Sequence, residues 1–158
     1  MSANNLHIRS SVLDRLIDLE PTASGEPVRF HAATFREMKA AVCRDLENLL
    51  NTRNFVSAEV GGFRELSSSL LGYGLRDYTS SNPRSPLLRQ QLRQELEKAI
   101  GCFEPRLHNV TVRIQDSDGN ERNLRFMISG LLLTESVAEP VTFDTVFDVN
   151  RCEYSIPK

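Results

Sequence analysis

The pattern of hydrophobic and polar positions predicts two strong helices in the first two thirds of the chain. Apolar residues recur at helical spacing between residues 34 and 52, and Thr34-Phe-Arg-Glu37 at the start has the form of a capping box. Ser85-Pro86 opens the second helix as an N-cap followed by proline at the first helical position, where the missing N–H does no harm. This helix ends at Gly101 or Pro105.

Two shorter segments also have helical patterns. Residues 11–20 are amphipathic and stop before a proline, and residues 65–71 can form a short helix closed by glycine. We expect residues 1–30 to be a flexible N-terminal segment that carries the first of these helices. Residues 31–158 then form a single domain, which is large enough to fold without a metal or a disulfide.

In the C-terminal third the apolar period changes from helical spacing to strict alternation. Alternating runs occupy residues 110–115, 124–129 and 141–149, and the connections between them fall at 116–120 and 134–140. Three consecutive runs of this kind predict an antiparallel β-meander of about three strands with one dry face. Two main helices plus short helices packed on that C-terminal meander give the α+β class.

Composition and charge limit the partners that the chain can recruit. The chain has 158 residues, 40% of them apolar, and a net charge of −2 with acids and bases intermixed. No single-sign field is present to attract nucleic acid, and no apolar run approaches the roughly 18 residues of a membrane span. Sixteen arginines against three lysines suit a protein interface, although arginine-rich codon usage would give the same bias.

The sequence shows no pattern typical of metal, redox or nucleophile chemistry. The cysteines and histidines have neither CxxC pairs nor ligand spacing; they are Cys43, Cys102, Cys152, His7, His31 and His108. Three separated cysteines suit a reducing cytoplasm, and two of them lie in apolar periodic contexts, where cysteine behaves as a small hydrophobic residue. We therefore predict no catalytic, cofactor-binding or metal-binding residues.

A lysozyme-like peptidoglycan hydrolase is the alternative function. Such an enzyme needs two carboxylates on either side of a sugar cleft. Twenty-one acidic residues guarantee candidate pairs, so the presence of such pairs decides nothing. Sugar clefts also use flat aromatic side chains, and the chain has no tryptophan and only three tyrosines. The composition therefore favours a non-enzymatic protein.

The segment Phe103-Glu104-Pro105-Arg106 joins the second strong helix to the meander. Pro105 lacks an N–H and restricts Glu104 to extended conformations, so the two charged side chains lie on a stiff bend. An internal Glu–Arg clamp would lock this bend, whereas a polar handle would present Glu104, Pro105 and Arg106 to a partner. The chemistry of these residues alone favours the clamp.

Three segments, in order, resemble the signatures of the TssE family of type VI secretion baseplate subunits. They are Val42–Arg53, Ser69–Asp77 and Ala99–Leu107, and the early Leu13-Asp-Arg-Leu16 also fits. Arg76 departs from the family pattern, which has proline before the aspartate, and this departure affects only local loop geometry. The family is similar to the contractile-phage baseplate wedge protein that shares the Glu-Pro-Arg motif.

The resemblance implies a non-enzymatic structural subunit of a contractile injection machine. In that family the subunit joins the wedge proteins TssF, TssG and TssK around a hub associated with TssA and VgrG, and it templates the first ring of TssB–TssC sheath. The baseplate docks at the inner face of the inner membrane, which implies a cytoplasmic location. The family implicates its Glu-Pro-Arg motif in this role, and the match carries that role to Glu104, Pro105 and Arg106 as partner-binding residues.

The predicted meander also has a consequence for assembly. A sheet of three strands leaves exposed edges, which accept strands from other chains. In the family that the sequence resembles, this sheet is similar to the interlocking domain of the sheath subunit. We therefore predict that sheath-subunit arms extend the sheet at an edge strand of the 108–150 meander.

Overall fold

The fold is known from a computed structural model. It describes residues 16, 35–54, 64–78, 85–115, 123–133, 138–148 and 151–157. The predicted flexible segment at 1–30, the Thr34 cap and the hairpin connection at 116–120 lie outside the described residues, except for residue 16. The boundary between residues 30 and 31 therefore stays a prediction.

The two strong helices lie where the periodicity places them. Helix α1 spans Phe35–Asn51 and helix α3 spans Pro86–Phe103. Between them lie a short helix α2, Arg64–Ser67, and a 3₁₀ turn, Leu70–Gly72, in place of the single short helix predicted there. The start of α3 has the expected cap, because the Ser85 hydroxyl accepts a hydrogen bond from the Leu88 N–H at 3.5 Å.

The C-terminal part of the chain forms one antiparallel sheet. Its strands are β1 Leu107–Gln115, β2 Leu124–Leu133, β3 Ala138–Asp148 and β4 Glu153–Ser155, in the spatial order β1-β2-β3-β4. This arrangement confirms the α+β class and the C-terminal meander. The sheet has a fourth strand, which the sequence did not predict, because three residues are too few to show an alternating pattern.

Strand β3 begins earlier than predicted. Residues 138–140 belong to the strand, although the sequence predicted a connection at 134–140. Pro140 lies opposite Leu131 of β2, in a pair where the backbone N and C=O positions of the β3 residue point away from β2. A proline is tolerated in a strand at such a position, because the missing N–H would have pointed outward.

The core lies between the helices and one face of the sheet. Helix α1 contributes Val42 and Leu46, helix α3 contributes Leu96 and Ile100, and the sheet contributes a set of buried strand residues. That set includes Val112, Leu124, Phe126, Ile128, Leu132, Val141 and Phe143. Of the alternating residues predicted for the dry face of β2 and β3, Phe147 is half-buried, Val149 lies outside the described residues, and the others are buried.

Candidate assembly surfaces at the helix–sheet junction and the sheet edges

The bend between α3 and β1 is fixed by its own backbone. Glu104 caps α3 with φ −119° and ψ 79°, outside the helical region, and its N–H still donates to the Ile100 carbonyl at 2.8 Å. The Leu107 N–H then donates to the Glu104 carbonyl at 3.1 Å, so the chain turns directly into β1. Pro105 lies exposed at the tip of this turn.

The side chains of Glu104 and Arg106 bind each other across the bend. Arg106 Nε donates to Glu104 Oε1 at 2.6 Å and Nη2 donates to Oε2 at 2.5 Å, which is the bidentate geometry of an arginine–carboxylate pair. The Arg106 backbone N–H adds a third bond to Oε1 at 3.2 Å. Glu104 is buried, with 3% of its surface exposed. The structure therefore contains the internal clamp that the chemistry of the residues favoured.

Asp45 of α1 is a third member of this cluster. Its Oδ2 accepts from Arg106 Nη2 at 2.5 Å, and its Oδ1 accepts from Arg44 Nη2 at 3.1 Å. The pKa of Arg106 is raised, mainly by its hydrogen bonds to Glu104 and also by its hydrogen bond to Asp45. Burial acts in the opposite direction and lowers this pKa. Asp45, Glu104 and Arg106, which we call the junction clamp, tie α1, α3 and β1 together.

Little of the junction clamp reaches solvent. The Glu104 side chain is 5% exposed, whereas the side chains of Arg106 and Asp45 are 24% and 26% exposed. A protein that touches this region meets Pro105 and the rims of Arg106 and Asp45, because the Glu104 carboxylate is enclosed by its partners.

The second motif packs against the same junction. The Tyr73 ring meets the Phe103 ring edge to face, with centroids 5.2 Å apart. Burial raises the pKa of the Tyr73 hydroxyl, and the carboxylates of Asp45 and Glu104 raise it further. The three segments that carry the family resemblance thus converge here, through Asp45, Tyr73 and Glu104 with Arg106.

One edge of the sheet is closed by α1. Asn51 accepts from the Tyr154 N–H at 2.8 Å and donates to the Tyr154 carbonyl at 2.9 Å, so one amide side chain replaces a neighbouring strand. Glu47 accepts from the Ile156 N–H at 2.8 Å. The outward backbone groups of β4 are therefore bound within the chain.

The opposite edge is closed in part by α3. Glu97 accepts from the Val112 N–H of β1 at 2.9 Å. Glu95 accepts from the Arg76 N–H at 2.9 Å and from the Tyr78 hydroxyl. Glu95 and Glu97 lie off the apolar stripe of α3, yet both carboxylates accept hydrogen bonds from backbone or hydroxyl donors instead of facing only water.

Strand β3 has a stretch of edge that β4 does not cover. Strand β4 pairs with β3 only from Val146 to Asp148, and the next pair with facing backbone groups in this register would set Pro157 opposite Asp144. Proline has no N–H to donate, so the pairing stops there. The outward groups of strand residues alternate, so the N–H of Thr142 and Asp144 point to this side. No described residue pairs with them, and we call Pro140–Asp144 the open β3 edge.

The comparison with known families decides which proteins this chain resembles. The sequence profile of the family described as baseplate wedge protein gp25 matches residues 36–137. The chain belongs to the baseplate wedge protein gp25 family. This result confirms the resemblance drawn from the three motifs, because TssE is the gp25-like subunit of type VI secretion baseplates. The matched range includes the whole junction clamp and ends just before β3.

A solved structure has the same fold. A chain in the structure described as "The baseplate complex from the type VI secretion system" aligns with a TM-score of 0.50 and 19% sequence identity, covering 70% of this chain and 94% of that chain. The likeness establishes the fold of this gp25-family chain. No curated protein matches the sequence.

Within the residues that the structure describes, this gp25-family chain shows no group of three or more histidine, cysteine or acidic side chains arranged to hold a metal. Among the same residues, no helix is long and apolar enough to cross a membrane. The sequence predicted Glu104, Pro105 and Arg106 as functional residues, but not Asp45, Asn51 or Glu97. Asp45 belongs to the first motif, and that membership was the one available signal.

Proposed function

We propose that this protein is a non-enzymatic structural subunit of a type VI secretion baseplate. It joins the wedge proteins TssF, TssG and TssK and templates the TssB–TssC sheath, in a baseplate docked at the cytoplasmic face of the inner membrane. The match to the gp25 family over residues 36–137 supports a baseplate role. The junction clamp supports a structural one, because its charges are bound to one another rather than directed into a cleft.

The observation that carries the templating proposal is the open β3 edge. Among the described edge positions, Asn51 binds the β4 edge and Glu97 binds the Val112 N–H of β1, and Ile114 is a single outward position on β1 without a partner. The open β3 edge instead has two successive outward N–H groups, those of Thr142 and Asp144, that no described residue binds. An arm of a sheath subunit adds to the sheet at Pro140–Asp144 by backbone hydrogen bonding. We therefore propose β3 as the strand that the arm extends.

The junction clamp contributes indirectly to this assembly. It holds α1 and the α3–β1 bend together, and α1 also holds β4 through Asn51 and Glu47. The position of β4 in turn sets where the open β3 edge begins. Glu104 and Arg106 therefore orient the sheet, and Pro105, exposed at the tip, contacts a partner directly.

Matched proline substitutions at two edges test the templating proposal. Thr142→Pro removes an outward N–H from the open β3 edge, at a site two residues from a proline that the strand already accepts. Ile114→Pro is the control, because Ile114 has the same parity as Val112 and points outward at the β1 edge. Sheath assembly is followed in cells with a fluorescent sheath subunit, and immunoblots check protein abundance.

We expect Thr142→Pro to abolish sheath foci while Ile114→Pro retains them, with both proteins at normal abundance. Loss of foci in the Ile114→Pro strain alone would move the arm to β1 and refute the assignment to β3. A parallel digestion of purified peptidoglycan tests the alternative hydrolase function. Release of cell-wall fragments that is lost on changing one acidic residue would overturn the non-enzymatic proposal.

A further inference from the structure

A groove lies where α3 and β1 diverge beside the junction clamp. Its volume is about 360 Å³, and Gly101, Pro105, Leu107 and Val110 give it apolar walls. Glu97 lies at its α3 side. We call this feature the α3–β1 groove, and neither the clamp nor the open β3 edge forms part of its walls.

Gly101 is the most informative residue of the groove. It lies inside α3, where glycine is less favourable than alanine because it loses more conformational freedom. At Gly130, by contrast, an added Cβ would lie 3.1 Å from the His108 carbonyl oxygen, so packing within the chain explains that glycine. At Gly101 an added Cβ would meet no atom of the described residues within 4 Å. Packing among the described residues therefore does not explain this glycine, and the surface above it is open to close approach by another molecule.

The polar residues that line the groove are Glu97, His108 and Asn109. The Glu97 carboxylate uses Oε1 to bind the Val112 N–H, and Oε2 has no hydrogen-bond partner among the described residues. The pairing of β1 with β2 is interrupted at Asn109 and Val110, and Asn109 has a positive φ of 53°. Their backbone carbonyls therefore lie outside the β1–β2 ladder, and both residues line the groove together with Glu97. This end of the groove suits a cation, and the apolar walls suit an aliphatic stem.

We propose that the α3–β1 groove receives an arginine side chain from another protein of the baseplate. The stem crosses Gly101 between Pro105 and Leu107, and the guanidinium donates to Glu97 Oε2. Arginine suits the site because its planar group donates several bonds in one geometry and is common among residues that dominate interface affinity. The proposal rests on the proposed function, since it requires a baseplate partner.

Two substitutions of one residue separate folding from binding. Gly101→Ala improves the helix and is expected to raise the midpoint of thermal unfolding by about 2–3 °C. Gly101→Arg places a guanidinium four residues after Glu97 on the same helix face, where it pairs with that carboxylate and fills the groove. The probe is the co-purified complex of TssF, TssG and TssK from the same secretion system, titrated against each variant by biolayer interferometry.

We expect Gly101→Arg to weaken binding by about tenfold or more, and Gly101→Ala to weaken it by less although the protein is more stable. Glu97→Gln keeps an oxygen for the Val112 N–H but removes the charge, so it weakens binding and flattens the dependence on salt. Lys98→Ala is the matched control, because Lys98 is exposed on the same helix outside the groove. It binds as the unmodified chain does.

The outcomes distinguish the two proposals. If the unmodified chain does not bind the wedge complex, the proposed function fails and the groove proposal fails with it. If the unmodified chain binds and both Gly101 variants bind equally well, only the groove proposal is overturned. If sedimentation shows that the chain alone dimerises and that Gly101→Arg gives a monomer, the occupant is a second copy and the arginine of a baseplate protein is refuted.

Discussion

The junction clamp and the open β3 edge differ in how far the chain satisfies its own polar groups. In the clamp, Glu104 accepts two hydrogen bonds from the Arg106 guanidinium and one from the Arg106 backbone N–H, and Asp45 accepts another from the guanidinium. At the open β3 edge, no described residue pairs with the backbone groups of Thr142 and Asp144. The clamp carries the recognisable sequence motif, yet the edge has the unused hydrogen-bonding capacity. A motif can therefore serve assembly by holding a surface in place rather than by being that surface.

The largest effect is expected from Arg106→Ala. This change leaves the buried Glu104 carboxylate without its bidentate partner, and removing one member of a buried pair costs about 3 kcal/mol of unfolding free energy. Urea unfolding of the purified protein measures the loss. Arg113→Ala, at an exposed position of β1, is the control and is expected to change stability by less than about 0.5 kcal/mol. An Arg106→Ala protein as stable as the control would show that the clamp does not brace the junction.

Glu104→Ala is expected to cost somewhat less. Arg106 keeps its bond to Asp45 and is partly exposed, so the loss is about 2 kcal/mol. We also expect Glu104→Ala to lower sheath assembly in cells. If a folded, normally abundant Glu104→Ala protein supports wild-type sheath formation, the Glu-Pro-Arg motif has no part in assembly. The contrast between a clamp that positions the edge and the edge itself would then be wrong. A variant that is simply unfolded would favour a clamp with no separate contact to a partner.

Asn51→Ala tests whether β4 is closed to partners by its side-chain bonds. The change removes two hydrogen bonds to Tyr154, whose backbone groups then turn to water, so we expect a loss of about 1–2 kcal/mol. Amide exchange at Tyr154 should accelerate while exchange in β2 stays slow. Asn48→Ala, exposed one turn earlier on the same helix, is the control for helix propensity. Unchanged exchange at Tyr154 would show that the β4 edge is protected by other means.

The sequence predicted the elements of this fold better than their connections. Periodicity located α1, α3 and the buried face of β2 and β3, because each pattern repeats over many residues. Strand β4 has three residues and depends on pairing with β3, so it has no local signal. Asp45 and Arg106 are 61 residues apart, and local spacing carries no information about such a contact.

The sheet edges show the same limit in another form. Glu97 and Asn51 lie off the apolar stripes of their helices, where polar residues normally face water. Glu97 and Asn51 bind strand edges only because of where the sheet lies relative to the helices. The alternating pattern within a single strand gives no information about that position. The Glu-Pro-Arg bend could be predicted because its constraint is local, since Pro105 restricts the conformation of its neighbour.

The smallest effect is expected at Thr145, and it separates stability from edge recognition. The Thr145 hydroxyl is buried beside the open β3 edge, and its oxygen has no hydrogen-bond partner within the described structure. Thr145→Val replaces the hydroxyl with a methyl group of similar size, so we expect unfolding free energy to rise by about 1 kcal/mol. The Thr145 side chain points into the core, whereas the outward N–H groups of the open β3 edge belong to Thr142 and Asp144. We therefore expect sheath assembly to be unchanged. Thr142→Val, which keeps the backbone N–H, is the matched control in cells. A Thr145→Val protein that gains stability but loses sheath assembly would show that the open β3 edge depends on the core packing beneath it. The junction clamp and the open β3 edge would then be less independent than their hydrogen bonding indicates.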